Sequence, residues 1–154
     1  NSQFFYRSDL EQILNFEIRD KEEFIKICNE IGLLVVDISP FPLNTQDTKI
    51  NYAKNKNGSI KISKNNYKEL VKRTLPSFFN KKIKLVEQKK ASDIKVFFRY
   101  ARVQSAFQDL ISDSLIENGI IRDKEDIKEI AQRGGGIDRI KFGEILNAKW
   151  SPDR

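Results

Sequence analysis

Two apolar runs, "LLVVDI" at 33–38 and "DIKVFFR" at 93–99, constrain the fold more than anything else in the chain. Neither alternates apolar with polar residues, as a strand with one wet face would. The first is uncharged until Asp37, and the second crowds Ile94, Val96, Phe97 and Phe98 together. Each therefore predicts a strand covered on both faces, the pattern of a parallel sheet between helices.

The segments around them read as helices. Ser8 with Glu11 forms a capping box ahead of Leu10, Ile13 and Leu14, and Asp20 with Glu23 repeats it before Phe24, Ile27, Cys28 and Ile31. That second helix is expected to stop at Gly32, because glycine accepts the left-handed conformation of a C-cap. Ser63 opens a helix with Tyr67, Leu70, Val71 and Leu75 on one side, which Pro76 breaks or restarts; Phe79, Ile83 and Val86 then leave most lysines of "FFNKKIKLVEQKK" outward. Val103, Phe107, Leu110, Ile111 and Leu115 repeat at threes and fours until Gly119. Asp123 with Asp126 starts a short helix through Ile127, Ile130 and Ala131, and Ile137, Ile140, Phe142, Ile145, Leu146 and Trp150 cover one face of the last. Helices alternating with strands of this kind predict an α/β fold, a three-layer α/β/α sandwich with a mainly parallel central sheet. A single domain over 1–154 is expected, with a mobile Lys/Asn-rich loop at 45–59.

Composition narrows the chemistry. There is no histidine, so any catalysis rests on carboxylates, Lys, Tyr or water, and no metal or cofactor is expected. The lone cysteine, Cys28, falls on the apolar face of its helix and reads as a core thiol. It allows no intrachain disulfide, predicts no disulfide-linked partner and suits the cytoplasm. No apolar run approaches the roughly 20 residues that span a bilayer, so no membrane association is expected.

Charge is concentrated. Residues 49–102 hold 16 Lys and Arg against 3 acids, a net of +13 in a chain whose total is +6. Interleaved with Tyr52, Tyr67, Phe78, Phe79 and Tyr100, this excess predicts a polyanionic partner, nucleic acid and in particular DNA.

In a parallel α/β sheet, ligands bind outside the carboxyl ends of the strands. That rule sets Asp37 with "SPFPLN" beyond one strand, and Arg99, Tyr100 and Arg102 beyond the other. Phe41, between two prolines, offers a stacking face for a base or anchors its loop; Asn44 is a weaker polar candidate. Arg99 and Arg102 suit bidentate phosphate contact. In "RGGGIDR" the backbone of Gly134, Gly135 and Gly136 is able to approach a phosphate closely, with Arg139 beside it, or the glycines are a plain flexible connector.

Four stretches in order resemble the uracil-DNA glycosylase superfamily: "NSQFFYRSDLEQIL", "GLLVVDISPFPLN", "IKVFFRYARVQSAFQDLI" and "GGGIDRIKFGEILNAKW". The resemblance implies a protein that hydrolyses the N-glycosidic bond of a damaged or mismatched base, with Asp37 where the family reads the edge of a flipped base. The residues themselves also allow Asp37 to accept backbone hydrogen bonds within its own loop. Two departures stand out. The Gly- and Pro-rich motif that places the hydrolytic water is absent before Phe4, and the closing loop lacks the family's His-Pro-Ser, a source of transition-state stabilisation. The chain contains no methionine and so no start residue, which leaves open a preceding segment where the first motif would lie. Beside the glycosylase reading stands a non-enzymatic nucleic-acid-binding or regulatory module using the basic segment 49–102. A metal-dependent nuclease ranks below both, because Asp37, Asp47 and Asp93 form no tight cluster.

Overall fold

A computed structural model describes residues 6–40, 64–89 and 93–146, the side chains of 64–67 excepted. Phe41, Asn44, the loop at 45–59 and Trp150 lie outside the described residues. Six α-helices account for most of what is described: α1 (Arg7–Leu14), α2 (Lys21–Ile31), α3 (Lys64–Thr74), α4 (Asn80–Lys89), α5 (Ala101–Glu117) and α6 (Arg139–Leu146). The one sheet among the described residues pairs two short strands, β1 (Val96–Phe97) and β2 (Ile127–Lys128).

The three-layer α/β/α sandwich is therefore corrected to a mostly helical fold. Residues 33–38 form no strand. They leave α2 as irregular backbone, with Leu34 64% and Val35 47% exposed. Strand propensity measures how well a side chain suits a pleated, half-buried surface, and a run that finds no neighbouring strand gains nothing from it. The run at 93–99 contracts to β1, whose partner β2 comes from a stretch that the sequence pattern assigned to a helix. Asp123 and Asp126 do form their capping box, but around a single 3-10 turn, Lys124–Asp126. Asp126 accepts from the backbone N–H of Arg122 (3.0 Å) and Asp123 (3.1 Å), and these bonds hold its carboxyl below the usual range. The chain then extends, and the β-branched Ile127 and Ile130 are buried on extended backbone rather than on a helix.

The chain divides into two compact units. The first comprises residues 1–35, 97–101 and 129–154, and its core gathers Tyr6, Leu10, Ile18, Phe24, Ile27, Cys28, Ile130, Ile137 and Phe142. Phe142 is fully buried, with its ring 5.1 Å from Tyr6 and 5.5 Å from Phe97. The expected capping box of α1 does not form: Ser8 lies inside the helix and the cap residue, Tyr6, makes no side-chain cap bond. Glu11 instead pairs with Arg7 at 3.4 Å and accepts from the backbone N–H of Ile18 at 3.2 Å, tying the loop to α1. Asp20 caps α2 as expected, accepting from the Glu23 N–H at 2.8 Å, and Glu23 turns back to the Arg19 backbone N–H. Gly32 ends α2 at φ +74°, where a Cβ would be strained.

The second unit comprises residues 36–96 and 102–128. Here α3 and α4 are not separated by Pro76 but joined through a π-helical turn, Leu75–Phe79, in which the Asn80 N–H reaches the Leu75 carbonyl. Proline cannot donate to the carbonyl four residues back and its ring crowds that group; widening the turn relieves both problems without ending the helix. The Thr74 hydroxyl donates to the carbonyls of Leu70 (3.0 Å) and Val71 (3.2 Å), beside the irregular turn. Val71, Phe79 and Ile83 are buried along this run, as are Phe107, Ile111 and Leu115 along α5. The Ser114 hydroxyl donates to the Asn80 side-chain oxygen, linking α5 to the start of α4.

Candidate functional site

With no strand at 33–38, the crevice expected outside parallel strand ends has no counterpart. Asp37 is exposed on irregular backbone in the second unit, and Arg102 is exposed on the first turn of α5. Arg99, Gly134, Gly135, Gly136 and Arg139 belong to the first unit.

The structure does bring Arg99 and the triple glycine together. Ala131 and Ile137 pair antiparallel, the Gln132 N–H donates to the Gly136 carbonyl (2.9 Å), and the Asp138 N–H donates to the Ile130 carbonyl (2.7 Å). The glycines are thus the tip of a tight hairpin, and Gly134 (φ +87°) and Gly135 (φ +91°) take backbone angles that side chains rarely permit. Arg99 Nη1 donates to the Gly135 carbonyl at 2.8 Å, and its guanidinium lies over the rings of Tyr6 (5.3 Å) and Tyr100 (4.7 Å). Burial raises the Tyr6 hydroxyl above its ordinary pKa, with the nearby Arg99 charge opposing that rise. A guanidinium held by a carbonyl and two aromatic faces fixes the hairpin tip to the core. Arg139 is also engaged, through Nε to the buried Asp9 (2.7 Å) and through a second nitrogen to Gln12, which joins α6 to α1.

A different surface carries free charge. Along α3 and α4 the exposed cations are Lys72, Arg73, Lys81, Lys82, Lys84 and Lys89, against the exposed acids Glu69 and Glu87. None of these six is held in an ion pair among the described residues. Elsewhere Arg7, Arg19, Lys26, Lys124 and Arg139 each reach a carboxylate, whereas the exposed Lys21, Arg133 and Lys141 of the first unit reach none among the described residues but are not gathered on one helical run. In α4, Ile83 is buried, Asn80 and Val86 are half-buried, and the remaining positions face solvent, including Leu85 at 56% exposure; Phe79, at the end of the π-helical turn before it, is also buried. Lys82 Nζ lies 4.1 Å from the centre of the Phe78 ring, one turn back. Six like charges on one helical run repel one another, and a polyanion would relieve that repulsion.

Among the described residues no three His, Cys, Asp or Glu side chains are placed to hold a metal ion, and no helix is long and apolar enough to cross a membrane. No family model, curated protein or solved structure matches this chain.

Sequence reasoning takes the lysines of this stretch as a solvated helix face adding non-specific, salt-sensitive DNA affinity, and passes over Leu85 and Gln88 between them. The helical spacing of that stretch was the available signal. No sequence signal pointed to the Asp9–Arg139 pair, whose members are 130 positions apart.

Proposed function

We infer that the protein is a non-enzymatic nucleic-acid-binding module whose contact surface is the basic helical run formed by α3 and α4. The observation that supports this most is the concentration of six exposed Lys and Arg side chains along one helical run, none of which reaches a carboxylate among the described residues. Lysines presented this way bind phosphates with release of counterions, which makes affinity strongly salt-dependent. Hydrolysis is not included in the proposal. The base-reading position implied by the glycosylase resemblance depended on a strand terminus at Asp37 that does not form, and no imidazole is present to stabilise a departing base.

Fluorescence anisotropy of a labelled mixed-sequence DNA duplex tests the reading. Reversal of Lys81, Lys84 and Lys89 to Glu is expected to weaken binding by at least about tenfold at moderate salt. Reversal of Lys21, Arg133 and Lys141 to Glu, all exposed in the first unit, changes net charge by the same amount without touching the surface and is expected to have little effect. Equal losses in both proteins would reduce the interaction to net charge. Strand scission of a uracil-containing duplex after alkali treatment would restore the enzymatic reading.

A further inference from the structure

The outer face of α4 is not uniformly basic. At about 100° per residue, Lys81, Leu85 and Gln88 fall at about 160°, 200° and 140° from the buried Ile83, forming one strip opposite the core. Lys84 flanks that strip on one side, at about 100°, and Lys82 and Lys89 flank it on the other, at about 240–260°. All six side chains are exposed. A surface that only neutralised phosphates would need cations alone. Here the middle of the strip holds an ammonium, an isobutyl group and a carboxamide, three different chemistries at i, i+4 and i+7.

We propose that this face of α4 enters the major groove of B-form DNA and reads bases, with Lys81, Leu85 and Gln88 against base edges and Lys82, Lys84 and Lys89 on the phosphates of the two flanking strands. This inference rests on the nucleic-acid reading above and adds the groove and the reading residues. The major groove is about 12 Å wide and admits one helix, so cations on both flanks of a central strip match its two phosphate walls. Each central side chain also has a partner in the groove's code: Lys with guanine O6 and N7, an apolar group with the thymine methyl, and Gln in a bidentate pair with adenine N6 and N7. The narrow major groove of A-form RNA excludes a helix. An anionic membrane surface fits less well. A helix lying in a bilayer interface inserts an apolar face, and Ile83 of this one, like Phe79 just before it, is already buried in the protein.

The helix is also held for the task. Ile83 within it and Phe79 just before it are only 4% and 3% exposed, and the Ser114–Asn80 hydrogen bond fixes its first residue to α5. A reading element mounted on a rigid support places its side chains more accurately than a loop does.

The test selects duplexes bound by the full chain from a random-sequence DNA pool and measures the recovered duplex with Leu85→Ala and Gln88→Ala proteins, both at exposed positions where folding is preserved and checked by circular dichroism. A recovered motif is expected. Gln88→Ala should cost about tenfold on it and relax one adenine position, with the salt dependence unchanged. Replacing the motif's thymines by deoxyuridine, which removes the methyl groups, should weaken the wild-type chain several-fold but leave Leu85→Ala unaffected. Duplex binding with no recovered motif, or with both variants equal to wild type, would overturn base reading and leave the nucleic-acid reading standing. Binding only to phosphatidylserine vesicles, or to neither vesicles nor duplex, would overturn both.

Discussion

Cys28 lies on the inward face of α2 among Phe24 and Ile27, and burial pushes its thiol up to about 11 from the ordinary 9.0. A raised acid pKa means that the folded chain holds the proton more tightly than the unfolded one. The resulting stabilisation is complete below about pH 9 and is lost as the pH climbs toward 11. Urea titrations at pH 8 and pH 11 should therefore show a larger loss for the wild-type chain than for Cys28→Ala, in which that proton is absent; parallel losses would contradict it. The same physics explains why Arg99 serves the fold as well as presenting charge. Its guanidinium is committed to the Gly135 carbonyl and to the faces of Tyr6 and Tyr100. Among the described residues the exposed lysines of α4 reach no carboxylate, and only Lys82 lies over a ring, that of Phe78 one turn back, which directs the functional reading to that surface.

At the scale of elements, Gly32 offers a compact check. Its φ of +74° ends α2, and the Leu33 N–H that follows bonds the Cys28 carbonyl at 2.8 Å. Apart from its chain neighbours, no atom of the described residues lies within 4 Å of an added Cβ, so Gly32→Ala isolates the backbone effect. It should cost about 1 kcal/mol, read as a lowered denaturation midpoint with unchanged slope. Gly32 was legible in the sequence because a helix stop is a local event. The Asp20 cap, the capping box of Asp123 and Asp126, the apolar face of α2 and the spacing of α5 were legible for the same reason. What failed was non-local. "LLVVDI" has the letters of a buried strand, but strand formation requires a partner supplied by distant chain, and the segment that forms β1 pairs with residues 127–128. The expected helix through Ala131 failed in the complementary way, since Ala131 finds a bridge partner in Ile137. The candidate site inherited both errors. Its geometry had been deduced from the sheet, whereas the basic character of 49–102 required no sheet and remains the basis of the proposed function.

Across the whole molecule, packing is checked most directly in the core of the first unit. Phe142 is wholly buried there, within reach of the Tyr6 and Phe97 rings, and Phe142→Ala should lose about 3–5 kcal/mol of stability by chemical denaturation. A loss under about 1 kcal/mol would mean that this core is not packed as described. Charge is distributed unevenly on the same scale: a total of +6 conceals the +13 of residues 49–102, and only part of that excess lies on described helices. Nucleic-acid binding through a defined face, rather than through diffuse charge, makes a quantitative demand. The three α4 lysines placed on phosphates, Lys82, Lys84 and Lys89, contribute about −3 to the slope of log affinity against log salt, and removing one should reduce its magnitude by about one. The decisive measurement is that slope on a mixed-sequence DNA duplex, for the wild-type chain and for Lys84→Ala and Lys89→Ala. A slope of about −3 or steeper whose magnitude falls by about one in each variant is expected; a slope near zero, or one that neither substitution changes, would contradict binding by this face.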